Sequence, residues 1–136
     1  MNWQNILKIS KGKEWLIYHI RKNLDRESRL QIDELADNQE AAEFGEDNFN
    51  HHYEHIATIQ FDGDEIGPNS LFRLTNNVDE EWAKEFAGEQ DGWNMVIEVD
   101  RRHRSSMVGD VFFDKDNNMY WMVAGHGFKA VDVRGD

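Results

Sequence analysis

The residues best suited to chemistry are three histidines in "HHYEH", His51, His52 and His55. On a helix, His51 and His55 would share one face, and imidazole suits zinc or nickel. Glu54 does not stand in the order of a helical zinc protease, and no later histidine or acid repeats the spacing. A third ligand is therefore lacking, and the sequence assigns neither a metal nor a cofactor. Asp114, Asp116 and Asn118 imitate the first ligands of a calcium loop, but Met119 occupies the place of the required glycine and Gly125 that of the closing glutamate. A hairpin turn explains the same letters. Ser105 or Ser106 could be drawn with His103 or His126 as a nucleophile and base, yet no nucleophile-elbow glycine pattern surrounds them. With 27 acidic side chains, no acid–base pair stands out. No cysteine is present, which excludes disulfides, thiolate metal sites and cysteine nucleophiles. No catalytic residue is assigned, and the expectation is a protein that is not an enzyme.

Charge is more informative. The net charge of −12 is concentrated in the middle of the chain, since residues 30–72 hold eleven acids and no Lys or Arg. Such a field repels phosphate backbones and favours basic protein partners. The candidate partner-binding acidic face comprises Asp33, Glu34, Asp37, Glu40, Glu43, Glu46 and Asp47. A second candidate contact is the basic cluster Arg101, Arg102 and Arg104, whose arginines could alternatively neutralise nearby acids within the fold. Direct nucleic-acid binding is disfavoured by the charge balance.

These residues need elements to hold them. In residues 1–29, Trp3, Ile6 and Leu7 form one helical stripe and Leu16, Ile20 and Leu24 another, so two basic amphipathic helical pieces are expected, hinged near Gly12. Residues 30–54 read as an acidic connector or weak helix, with Leu30, Leu35 and Phe44 too sparse to bury much. Residues 55–136 form the α+β core. There "HIATIQF" alternates as a strand, Pro68 opens a short helix, and Asn77 with Glu80 resembles a capping box before Trp82 and Phe86. Three apolar runs from Ser105 to Val133, separated by turns at 114–118 and 125–127, predict an antiparallel β-meander or a small curled sheet, with Gly109 at a bulge. The fold class expected is α+β, N-terminal helices followed by a C-terminal antiparallel meander. An apolar fraction of 39% supports a folded chain. No apolar run approaches bilayer-spanning length, and no signal-peptide core is seen, so a cytoplasmic protein without membrane contact is expected.

The segment "RSSMVGDVFF…MYWMVAGHGFKAV" resembles the YodL-like domain family, small modules of phages, plasmids and large mobile-element proteins. Arg104, Ser105, Val108, Gly109, Asp110 and Val111 match its first strand, and Gly127, Phe128 and Lys129 its second half. Met107 stands where a serine is expected, so no role for that hydroxyl carries over. "LFRLTNNVDEEW" is similar to a Leu-Thr-Asn segment that precedes the motif in some phage proteins. The resemblance covers about half the chain and implies a genomic context, not a reaction. The function expected is that of a non-enzymatic phage or mobile-element accessory protein that binds a protein partner, with the acidic segment imitating phosphate in the basic groove of a nucleic-acid-handling machine. The alternatives are an assembly module docking through its N-terminal helices, or a small hydrolase using His126 or the 51–55 histidines.

Overall fold

In "EWLIYHI" the apolar side chains belong on two sides at once: Trp15 and Ile17 join one core cluster, Ile20 and the packed Tyr18 the other. An extended strand achieves this with its period of two, whereas a helix with one stripe does not. The computed structural model describes residues 10–38, 42–76, 82, 88–90, 92–99 and 103–134. In it Glu14–Ile20 is the first strand, β1.

The chain continues as α1 (Arg26–Asp37), β2 (Ala42–Gly45), α2 (Glu46–His52), β3 (Tyr53–Phe61), α3 (Pro68–Leu74), β4 (Gly88–Gln90), β5 (Trp93–Ile97), β6 (Val111–Asp114), β7 (Met119–Val123) and β8 (Phe128–Arg134). The eight described strands form one sheet in the order β2-β8-β7-β6-β1-β3-β5-β4. Among the described strands, only β2 and β8 pair in parallel. β1 is antiparallel to both β6 and β3, and Ile56 is an extra residue in β3 where the register shifts between Ile17 and Tyr18.

This corrects the expected fold. The segment 14–20 is not helical, and the three C-terminal strands are not a separate meander: β6 is joined to β1, and β8 to β2. Gly12 is not a helix hinge; it forms an antiparallel bridge with Ile66, and a Cβ there would lie 2.1 Å from Asp114 Oδ1. The helical face that an assembly module would dock is, over 14–20, an inner strand. Gly109 is not in a strand bulge either, but in a turn before β6 with φ of 98°. Trp3, Ile6 and Leu7, the Asn77–Glu80 capping box, Phe86, Glu40, Arg101 and Arg102 lie outside the described residues.

Each face of the sheet has its own core. On one, Trp15, Phe112, Trp121 and Met95 pack with Leu71 of α3 and with Trp82. On the other, Ile20, Val111, Met122 and Val131 pack with Ile32 and Ala36 of α1, Phe44 of β2 and Phe49 of α2. Trp15, Trp82 and Trp121 are fully buried, and truncating such a ring to alanine costs about 3–5 kcal/mol.

α1 starts where Asp25 Oδ2 accepts the Ser28 amide hydrogen at 3.0 Å, and ends on the Asn38 amide bonded to Glu34 O. The ammonium of fully buried Lys129, on β8, donates to Leu35 O and to Asn38 Oδ1, so it satisfies carbonyls at the helix end that carries partial negative charge. The polar letters at 114–118 make a hairpin turn, with Asn118 at φ 55° and Asp114 accepting from the Asn117 side-chain amide at 2.7 Å. Asp116 Oδ2 accepts the Glu14 amide at 3.1 Å, fastening that turn to β1. These acids hold the fold together.

Candidate functional site

The 51–55 histidines are the best metal candidates in the sequence, and Ser105 or Ser106 with His103 or His126 a combination that can only be drawn; the structure assembles neither set. α2 ends at His52, so His55 lies on a strand rather than one helical turn beyond His51. His51 Nε2 lies 3.3 Å from Asp25 Oδ1, His52 Nδ1 donates to Asn48 O at 2.7 Å, and His55 Nε2 lies 3.0 Å from Thr58 Oγ1. Among the described residues no group of three His, Cys, Asp or Glu could hold a metal ion. His126 is exposed in the turn between β7 and β8.

Ser106 instead meets His19, a histidine of β1 that the sequence reading did not single out. Its Oγ lies 2.9 Å from His19 Nε2 and 2.6 Å from Thr75 Oγ1, and Thr75 donates to Leu71 O at 2.8 Å. The carbonyl can only accept, so the single hydroxyl hydrogen of Thr75 is spent there. Ser106 therefore donates to Thr75 and must accept from His19, which fixes the Nε2–H tautomer. Burial pushes the His19 pKa down to about 4, against the attraction of Asp110, so the ring is neutral at pH 7. A serine nucleophile needs a base with a free lone pair on its hydroxyl and an acid on the opposite ring nitrogen. Here Asp110 Oδ2, at 3.8 Å, faces the same Nε2. The arrangement is a hydrogen-bond relay that joins β1, α3 and the 103–110 loop, not a triad.

Asp110 organises that loop. Its side chain is fully buried and accepts from Arg104 through both oxygens, at 2.6 and 2.8 Å, and from the amides of Ile20 and Met107 at 2.9 and 2.8 Å. Of the expected basic cluster, Arg104 is thus turned onto an acid of its own chain. Beside it, His103 stacks on Trp82, whose indole donates to Arg104 O at 2.8 Å. A pocket of about 280 Å³ opens here, lined by His19, Lys22, Glu54, His103 and Arg104 among others. Its charges are mixed.

The acidic residues are organised differently. Asp33, Glu34 and Asp37 are exposed along α1, Glu43 is exposed on β2, and Glu46 and Asp47 are exposed at the start of α2. Ile32, Ala36, Ala42, Phe44 and Phe49 of the same three elements are buried, so the fold turns the apolar positions inward and leaves the carboxylates in water. Among the described residues, Arg29 pairs with Asp33 at 3.3 Å, and Arg134 with Glu43 at 2.9 Å and Asp132 at 2.7 Å. Compared with protein-family models, curated proteins and solved structures, the chain matches none.

Proposed function

We propose that the protein acts without catalysis, by binding a basic protein partner through the acidic face of α1, β2 and α2, where it competes with nucleic acid for a groove that recognises phosphate. The observation that carries this reading is the exposure of Asp33, Glu34, Asp37, Glu43, Glu46 and Asp47, all within residues 30–72, which contain no Lys or Arg, while Arg26 and Arg29 stand only at the start of α1. Opposite charge on a partner would steer encounter and make it sensitive to salt. The resemblance of residues 104–111 to YodL-like modules agrees with an accessory role in a phage or mobile element.

The test is affinity capture from host lysate with the wild-type protein and with a variant carrying Asp33→Asn, Glu34→Gln, Asp37→Asn and Glu43→Gln. Exposed substitutions of this kind change stability by about 0.5 kcal/mol or less each, so the fold is retained. For a protein retained by the wild type, association should be slower for the variant and its rate should depend less on salt, because steering is screened over about 10 Å at 0.1 M. Displacement of the captured protein by duplex DNA should be seen as well. Equal association rates and equal salt slopes would overturn the reading.

A further inference from the structure

Beside the acidic face, two half-buried phenols come together. Tyr18 of β1 and Tyr120 of β7 have ring centroids 6.2 Å apart, and Phe49 of α2 packs edge-on against both, at 5.1 and 5.2 Å. Phe113 of β6 stacks on Tyr120 at 4.2 Å. A pocket of about 220 Å³ opens over these rings, and Glu46 and Asn50, one turn apart on α2, form its other wall. Buried tyrosine hydroxyls usually find a partner, as Tyr53 does on Gly109 O. Those of Tyr18 and Tyr120, by contrast, bond no other described residue and are open to solvent through the pocket that both line. The negative charge of Glu46 contributes to holding the Tyr120 phenol above its ordinary pKa, after burial itself.

A second pocket of about 260 Å³ shares Tyr120 and Val133 with the first and runs over Met119 and Val131. Solvent-accessible phenol oxygens, aromatic faces and a carboxylate lie in one pocket, and a mainly apolar channel adjoins it. This is the chemistry that receives a cation on a methylene stem.

We propose that the Tyr18–Tyr120–Glu46–Asn50 pocket receives an arginine side chain of the basic protein partner, the guanidinium lying against the rings and on Glu46 while its stem follows the channel over Met119. Arginine is favoured over lysine because a planar group can stack on a tyrosine face and donate in several directions at once, to two phenol oxygens, a carboxylate and an amide oxygen. The proposal rests on the reading of the acidic face as the partner-binding surface.

The probe is an N-acetylated, amidated Gly-Arg-Gly tripeptide, titrated into isotope-labelled protein and followed by NMR, with Gly-Lys-Gly and the uncharged isostere Gly-citrulline-Gly for comparison. The arginine peptide should shift the resonances of Tyr18, Glu46, Asn50 and Tyr120, and the citrulline peptide should not. Glu46→Gln, at an exposed position that leaves the fold intact, should weaken binding by about tenfold, in the range of one charge-assisted contact; Tyr120→Phe, which keeps the ring, should weaken it less. Equal shifts from arginine and citrulline, an unchanged affinity in Glu46→Gln, or equal binding of the lysine peptide would each overturn the assignment. The two proposals fail separately. If the Asp33/Glu34/Asp37/Glu43 variant loses partner association while the peptide ignores the pocket, only the arginine site falls; if the peptide binds the pocket but that variant associates normally, only the acidic-face reading falls.

Discussion

Tyr53 donates its phenolic hydrogen to the carbonyl oxygen of Gly109 at 2.7 Å, which ties β3 to the turn that leads into β6. The Gly109 amide in turn donates to Val123 O at 2.8 Å, so the turn is fastened to β7 as well. Its backbone is left-handed, and a Cβ there would lie 2.8 Å from Ile32 Cγ2 and 3.0 Å from Ile20 Cδ1.

Both features penalise a side chain at Gly109. Gly109→Ala should lose about 1–3 kcal/mol from left-handed strain and overpacking combined, and Gly109→Val more. Urea unfolding measures this; a Gly109→Ala protein with the wild-type midpoint would contradict the packing of α1 against the turn.

Stability should depend on His19 between its ordinary pKa and the lowered one. An unfolded chain takes up the proton near pH 6.5, whereas the folded state resists it down to about pH 4. The contribution of neutral His19 is therefore complete above about pH 6.5 and declines as pH falls, reaching about 3 kcal/mol lost near pH 4. His55, also lowered by burial, adds a slope of the same sign. In His19→Gln the denaturation midpoint should fall less steeply from pH 6.5 to 4 than in the wild type. Nitrogen NMR at pH 7 should show His19 protonated on Nε2, and an Nδ1–H signal would refute the relay direction.

Asp110→Ala should be strongly destabilising, by about 3–5 kcal/mol, because it strands the amides of Ile20 and Met107 and leaves Arg104 without its carboxylate. Arg104→Ala should also destabilise, by leaving a buried charge held only by amides. A double-mutant cycle measured in urea should show the two losses to be non-additive; simple addition would mean that the pair is not coupled.

Lys129→Met should loosen the end of α1 before it affects the sheet. The amide of Asn38, which donates to Glu34 O, should exchange with solvent faster, while amides of β7 should keep their protection. Uniform loss of protection across both would show that the lysine supports the whole core rather than the helix terminus.

How much of this could be read from the letters depends on whether the signal is local. The alternation in "HIATIQF" and the helix start at Pro68 are local, and the structure has β3 and α3 there. β1 is not, because "WLIYHI" is apolar at both parities and so satisfies a helical stripe as well as a strand covered on both faces. α1 buries Ile32 and Ala36 while Leu30 stays exposed, and so short an apolar face looks like a connector until the turn at Gly109 gives it something to pack on. β2 has four residues and pairs with a strand far along the chain, for which no nearby residue is a signal. The acidic face could be listed residue by residue from charge alone, and its described members are exposed. Tyr18 and Tyr120 could not be linked, since only the β1–β6–β7 pairings bring them together. Arg104 looked like part of a basic patch because its partner Asp110 lies across a turn whose shape comes from Gly109.

The position of β1 between β3 and β6 has a consequence during synthesis on the ribosome. β3 follows β1 after a few tens of residues and can pair as soon as it emerges, but the strand that covers the other side of β1 begins only at Val111. Until then the nascent chain carries an open row of amides and carbonyls along Trp15–Tyr18, beside apolar side chains that later form both cores. Two such chains on neighbouring ribosomes could each supply the other's missing strand, giving an exchanged dimer instead of two monomers. Fast translation of residues 62–110 therefore favours the correct product, and slow codons in that interval should raise the yield of the exchanged form.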